Sequence, residues 1–435
     1  MTGYRYILAL ALALMMMSGL SVEVKAQDDA RMSSRTIMGT ARYVGMGGAM
    51  SAIGADPSAV LDNVAGLGLY RRPEVMLTFD YTVKSIFTAP QASIVLSFKS
   101  DRVSVNGIQY HNLMLGYHRV HSFNAYMKPT SGEGPSLGAL IASTGADIGM
   151  QYPHDKNHIA DSLVLSERGY ANEYTIDYAL NVSNRFYWGI GLRIQSYQMA
   201  SDGDYYEWFS KTNTYNEHYR NRSRTSFVLT GVGCSMATGF IYRPLSWLRM
   251  GFGLETPSMG HLNVSTSGSF YALMEEDSIS DAPRGSDSWT YHMPLRLSTS
   301  VAFQISQYAM IALQYDYRRV IDAYDIHMLK AGVEVVPYPG VYVNAGYAYE
   351  SPFKKINKVV EIDKKLERQD AYFMNPRSQH YISGAIGYRG TYMMIQAAYQ
   401  YRLERFNLYA HQNADPYPMR GDRHRIVLTL GWHGR

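Results

Sequence analysis

The chain has 435 residues, with 41 Lys and Arg against 37 Asp and Glu, and its small formal charge of +4 excludes a nucleic-acid partner as the organising theme. A lone cysteine, Cys234, excludes an intramolecular disulfide framework, while 37 tyrosines far exceed ordinary usage. After residue 26 no apolar run reaches the length of a transmembrane helix, so the composition points to a β protein, either exported and soluble or spanning an outer membrane with strands.

In chain order, residues 1–26 read as a secretory signal peptide. Arg5 supplies the positive start, Ile7 to Met17 the apolar run, and Val24-Lys25-Ala26 the small-x-small site, with cleavage expected after Ala26. Residues 27–73 form a separate N-terminal segment ahead of residues 74–435, where the strand pattern runs.

Thr40 to Tyr70 is unlike everything that follows. Gly45, Gly47, Gly48 and Gly54 favour tight irregular backbone over a regular element. Asp56-Pro57 reads as an N-cap and first-turn proline that open a short helix through Leu61, with Gly66 and Gly68 ending it. The stretch Ala41-Arg42-Tyr43-Val44-Gly45-Met46-Gly47-Gly48-Ala49, then Ala55-Asp56-Pro57-Ser58-Ala59, then Asp62-Asn63-Val64-Ala65-Gly66-Leu67 resembles the N-terminal hatch of the FadL-type outer-membrane transporters. One position departs: Val64 stands where that family has a proline. The resemblance implies a barrel plugged by its N-terminus that passes hydrophobic, long-chain fatty acid-like compounds across the outer membrane of a Gram-negative bacterium. It marks Gly45, Met46, Gly47, Gly48, Asp56, Pro57, Asn63 and Gly66 as hatch residues.

From residue 74 the pattern alternates with period two over segments of about ten residues, the signature of barrel strands. Glu74 to Thr82 sets Val75, Leu77, Phe79 and Tyr81 against Glu74, Thr78 and Asp80; Arg185 to Gln195 and Leu295 to Ile305 behave alike. Counting such segments gives about fourteen strands, the first at 74–82 and the last at 423–432. Short connections, such as Ser183-Asn184 and Ser306-Gln307, alternate with long ones at 119–171, 200–224, 256–288, 351–378 and 403–422. The fold class expected is therefore an all-β, antiparallel, transmembrane outer-membrane β-barrel with an N-terminal hatch. The final strand, His424 to Trp432, puts Ile426, Leu428, Leu430 and Trp432 on one side and resembles the C-terminal targeting strand read by the barrel assembly machinery, although His433-Gly434-Arg435 follow its aromatic.

If the apolar faces meet outer-membrane lipid, the other faces line a lumen. Glu74, Asp80, Asp177, Arg193, Arg249, Glu255, Arg296, Asp316, Lys330, Glu334, Glu350 and Arg402 are expected there, paired across the barrel or with the hatch, because an unpaired buried charge is costly. Inward glycines at 189, 191, 251 and 253 leave room for a plug. In the long loop after the third strand, 135–142 and 158–165 read as apolar helices. Leu137, Leu140, Ile141, Ile159 and Leu163 there are candidates for capturing a hydrophobic small-molecule ligand, or for packing together as a cap.

No catalytic constellation is legible. G-x-S-x-G is absent, and His154 and His158 have helical metal-ligand spacing without a third ligand. No enzyme activity, metal or cofactor is expected. The leading function is a hatch-controlled channel for small hydrophobic molecules; the alternative is a structural or secretion-associated barrel that docks envelope proteins.

Overall fold

The computed structural model describes residues 35–83, 87–101, 107–137, 157–158, 160–208, 220–273, 279–292, 294–320, 324–351, 373–410 and 415–434. The expected signal segment, His154, Leu140, Ile141 and Ile159 lie outside these residues. An arm and a small plug, residues 35–73, precede the strands. The plug holds one α-turn, α1 (Ala41–Gly45), and two 3₁₀ turns, Ala59–Leu61 and Val64–Leu69.

Fourteen antiparallel strands follow. They are β1 (Glu74–Thr82), β2 (Phe87–Lys99), β3 (Ile108–Ser122), β4 (Ala160–Val182), β5 (Phe186–Trp208) and β6 (Arg220–Leu245). Two strands are each in two pieces: β7 (Leu248–Glu255, then Met259–Leu273) and β8 (Ile279–His292, then Leu295–Ser306). Then come β9 (Ala309–Val320), β10 (Tyr324–Tyr338), β11 (Val341–Glu350), β12 (Phe373–Arg389), β13 (Met393–Tyr409) and β14 (Arg423–His433). Each strand pairs with its neighbour in sequence, and β14 pairs back onto β1 from Glu74↔His433 to Thr82↔Arg425. Closure satisfies every strand edge, which a lipid surround demands. Breaks at Thr256-Pro257-Ser258 and at Pro294 interrupt β7 and β8 at one height, where each proline removes a ladder donor.

The alternation works as physical chemistry requires, because successive side chains leave opposite faces of a strand. On β5, Phe186, Trp188, Ile190, Leu192 and Ile194 are exposed on the outer wall, while Tyr187, Arg193 and Gln195 are buried inside. Aromatic residues ring both ends of the apolar band. At the turn end Phe186, Phe240 and Phe252 stack with centroids 6.3 and 5.5 Å apart. At the loop end a tyrosine on one strand bonds a histidine on the next in three successive hairpins: Tyr315–His327 at 2.7 Å, Tyr347–His380 at 2.8 Å and Tyr399–His424 at 2.6 Å. These are the interfacial girdles of a membrane-spanning barrel.

Several sequence expectations need correction. Thr40 to Gly48 does contain a regular element: Thr40 caps α1 by accepting from the Tyr43 amide at 3.2 Å. Gly66 and Gly68 do not end a helix but lie inside the Val64–Leu69 3₁₀ turn, which Asn63 caps. Leu163 lies on β4 rather than on a helix, since the strand begins at Ala160. Most of 200–224 and 256–288 is strand as well, because β4, β5 and β6 run for 23, 23 and 26 residues. A tilted strand crosses a bilayer in about 9–11 residues, so more than half of each stands beyond the apolar band.

Candidate functional site

The polarity of the tall strands reverses where the apolar band ends. On β5 the outward residues pass from Ile194 through Ser196 and Gln198 to Asp202 and Asp204, and Asp204 pairs with Arg222 of β6 at 3.0 Å. The inward residues, all buried, keep the polar Ser201 and Glu207 but otherwise change the opposite way, from Arg193 and Gln195 to Tyr197, Met199 and Tyr205. Leu163 and Leu165 of β4, Phe227 and Leu229 of β6, and Leu262 and Val264 of β7 join them in one cluster. Phe123, Met127, Leu137 and Tyr417 fold in from above, and Leu61 of the hatch packs from below. The result is an apolar chamber inside the barrel, filled by these packed side chains, beyond the apolar band and seated on the plug.

Two of the expected capture residues, Leu137 and Leu163, line this chamber. Leu137 is 9 % exposed and Leu163 is fully buried, so they pack as part of a roof rather than as open hooks. The Ser136 hydroxyl donates to the Glu207 carboxylate at 3.0 Å and ties the roof segment to β5.

Below the chamber the hatch fills the lumen. Ile37, Tyr43, Met46, Met50 and Ile53 pack on Ala302, Ala312, Ala348 and Tyr381, and Val64, Leu67 and Tyr70 pack on Val95, Met114, Ala179 and Ala237. Small wall residues make this closeness possible. A Cβ on Gly253 would run into the Asp62 carbonyl oxygen, one on Gly189 would come within 2.8 Å of the Val64 carbonyl, and one on Gly251 within 3.0 Å of the Ala52 Cα. Gly191 behaves differently, since its space is taken by the Asp177 side chain on β4.

The predicted hatch residues come together with distinct tasks. Gly47 has φ +62°, and a Cβ there would approach the Tyr347 amide nitrogen of β11 to 2.8 Å. Gly45 faces Ala385 of β12, and Gly48 packs inside the plug against Tyr43. Met46 is fully buried. Asp56, followed by the buried Pro57, accepts from the Thr40 hydroxyl at 2.6 Å and from the Ser58 amide at 2.9 Å, which folds the plug onto its own arm. Asn63 accepts from the Ala65 amide at 3.1 Å and donates to the carbonyls of Ser51 at 3.2 Å and Phe240 at 3.1 Å. Gly66 lies against Gly54 within the plug.

The residue that organises the latch is Asp62, which motif reading passed over. Its carboxylate accepts from the Tyr43 hydroxyl at 2.8 Å, from Gln314 of β9 at 2.9 Å, from Lys330 of β10 at 3.1 Å, and from Arg296 of β8. Burial would raise this carboxyl, but Lys330 and Arg296 outweigh it and hold the group well below the usual carboxylate range. Arg42 makes a second tie, donating to both oxygens of Glu334 at 2.6 and 2.7 Å.

Most of the predicted lumen charges are inward and paired. Asp316 meets Lys330 at 2.6 Å, Glu350 meets Arg318 at 2.8 Å, Glu74 meets Arg389 at 3.1 Å, and Asp80 meets Arg425 at 2.6 Å. Arg193 pairs with Asp177 and lies 3.4 Å from Glu173, Glu255 meets Arg35 at 3.2 Å, and Arg402 pairs with Glu404. Arg249 corrects the expectation of universal pairing: its guanidinium donates to the Ile53 carbonyl at 3.2 Å and has no carboxylate partner among the described residues. Arg296→Ala should therefore destabilise the folded barrel by about 3–5 kcal/mol, as expected when a buried ion pair is broken. Arg249→Ala, which loses one charge-assisted hydrogen bond, should cost about 1.5–3 kcal/mol. Thermal unfolding in detergent should rank the two in that order, and equal melting temperatures would mean that the Asp62 network is solvated.

On the lipid-facing wall a shallow apolar hollow is ringed by Ile94, Leu115, Tyr174, Ile176 and Ile194, with Gly116 at its floor. A Cβ on Gly116 would come within 2.8 Å of the Thr175 hydroxyl. Buried beside it, His118 finds no partner for either ring nitrogen among the described residues.

No family model matches this sequence, and no curated protein matches it. Solved structures do. The chain is similar to a Pseudomonas aeruginosa FadL homologue at 13% identity and TM-score 0.59, covering 92% of this chain and 98% of that one. It is similar to the Pseudomonas putida toluene transporter TodX at 12% identity and TM-score 0.53, covering 92% and 99%. It is also similar to the Ralstonia pickettii toluene transporter TbuX at 13% identity and TM-score 0.51, again covering 92% and 99%. At these identities the likeness is one of fold. The chain has the fold of the FadL-type outer-membrane transporters.

Proposed function

We propose that this chain is an outer-membrane channel for small hydrophobic, long-chain fatty acid-like molecules, with passage controlled by the hatch. The observation that carries the reading is the reversal of polarity along β4 to β7. A polar outer surface and an apolar interior beyond the membrane serve a greasy solute, and nothing in barrel stability requires them. The solved relatives described as toluene transporters agree with an apolar cargo. The cargo enters under the loops by displacing the side chains that fill the chamber, and is stopped by Leu61 and the hatch. The hollow at Gly116 supports a sideways exit into the membrane, which spares the cargo the charged lumen below.

In this reading residues 1–26 are removed after Ala26, residues 27–73 form the arm and hatch, and residues 74–435 form the barrel. The barrel assembly machinery inserts it among outer-membrane lipids. The test is uptake of labelled oleate and toluene by cells making the parent or the chamber variants Leu165→Gln and Leu229→Gln. Both variants should lose uptake by about tenfold while keeping heat-modifiable migration on unboiled gels. Unchanged uptake would remove the chamber from the route and favour the partner-docking alternative. Recovery of the parent in the soluble periplasm would overturn the reading altogether.

A further inference from the structure

The two ends of the barrel differ in how their charges are arranged. Beyond the loop end, charges come in opposite pairs, as where Asp204 meets Arg222 at 3.0 Å and Asp422 meets Arg420 at 2.7 Å. The turn end carries mostly one sign. Arg71, Arg72, Lys99, Arg185, Arg243 and Arg389 stand there, and the carboxylates among its described residues are Glu74 and Asp101. Glu74 is buried and already taken, meeting Arg389 at 3.1 Å and His433 at 2.8 Å.

Several of these cations form a continuous arc. Arg71 leaves the hatch, lies over the Tyr110 ring at 4.9 Å and donates to the Asn184 side chain at 2.6 Å. Arg185 comes next in the same turn, and its carbonyl accepts from the Arg243 amide at 2.7 Å. The Arg243 guanidinium donates to the Ser246 carbonyl at 2.9 Å. Arg72 and Arg185 are exposed, and their side chains make no hydrogen bond or ion pair among the described residues.

Parity decides what the arc faces. Arg185 shares its face of β5 with the buried Tyr187, Arg243 its face of β6 with Ile241, and Arg389 its face of β12 with Ala385. Their outward neighbours Phe186, Tyr242 and Tyr388 are exposed aromatics of the lipid girdle. Lipid headgroups at this height therefore meet aromatic rings, while the cations rim the lumen mouth. Only short turns surround that mouth on the side of Ser183-Asn184 and Ser306-Gln307, which leaves it open to a surface as large as another protein's.

Like charges crowded on one rim repel one another, and strand pairing does not call for them. A face of one sign attracts a partner of the other, and guanidinium groups match carboxylates with two parallel hydrogen bonds. We infer that the turn-end mouth is a docking face for an acidic periplasmic protein, which meets these arginines through clustered Asp and Glu side chains. The inference goes beyond the channel reading and does not depend on it.

The test measures binding of a fluorescent alternating Glu-Ala peptide to the full-length protein in zwitterionic nanodiscs, with a Gln-Ala peptide as its neutral counterpart. At low salt the parent should bind the Glu-Ala peptide about tenfold tighter or better, and the preference should fade as ionic strength rises. The double variant Arg72→Gln/Arg185→Gln, which breaks no contact, should lose most of that preference; Arg420→Gln at the loop end should keep it. Equal binding of the two peptides by the parent would overturn the inference. So would a preference that survives the double variant, or one that Arg420→Gln weakens as much. Native mass spectrometry with phosphatidylglycerol is the second arm. Parent and double variant should retain this lipid equally, and its loss from the double variant alone would assign the cations to the bilayer and overturn the docking face. Uptake of oleate and toluene remains the separate test of the channel reading.

Discussion

Deleting residues 40–66 should turn a closed barrel into an open pore, seen in planar bilayers as large, steady single-channel steps that the parent lacks. The wall around the hatch is built from alanine and glycine at positions such as Ala302, Ala312, Ala348, Ala179, Gly253 and Gly346, which cannot close a fourteen-stranded lumen by themselves. The barrel itself should survive the deletion. Its strands pair in sequence and β14 closes onto β1 without help from the plug, and water entering the lumen would hydrate Arg296, Lys330 and Glu334 instead of stranding them. Heat-modifiable migration should therefore be retained. A barrel that stays closed after the deletion would assign the seal to the roof around Phe123, Leu137 and Tyr417.

Asp62→Ala should loosen the same plug without removing it. The substitution takes away the shared acceptor of Tyr43, Gln314, Lys330 and Arg296 while leaving Lys330 with Asp316 and Arg296 with Glu255 at 3.7 Å. Breaking one side of a buried ionic network costs about 3–5 kcal/mol. The hatch should therefore leave its seat roughly a hundred to several thousand times more often, seen as brief conductance steps and as faster proteolysis within residues 40–66. The sign of the pH effect follows from the depressed Asp62 carboxyl. The stabilisation is complete above the ordinary carboxylate range and is lost only as pH falls through the depressed folded value. Parent conductance should thus stay closed from mildly acidic to mildly basic pH. Openings that appear near pH 6 would show that the latch does not depend on Asp62.

Alternation of apolar and polar residues, as in Val75 to Tyr81 and Phe186 to Ile194, is enough by itself to set strand positions, strand number and the lipid-facing side. The pleat ties side-chain direction to sequence parity and needs no long-range information. Inward placement of Asp177, Arg193 and Glu334 was legible for the same reason, and the glycine-rich plug was legible because few chains tolerate that composition. What parity cannot convey is which inward residues meet. Asp62 became the centre of the latch only when β8, β9 and β10 brought Arg296, Gln314 and Lys330 to it from more than two hundred residues away. The chamber was hidden in stretches such as 200–224, whose outward Asp202 and Asp204 read as loop when the outside of a strand is assumed to be lipid. There the outside is water and the inside is dry, so the pattern keeps its period and reverses its meaning. That reversal depends on where the membrane ends around the closed barrel, which only the tertiary structure decides.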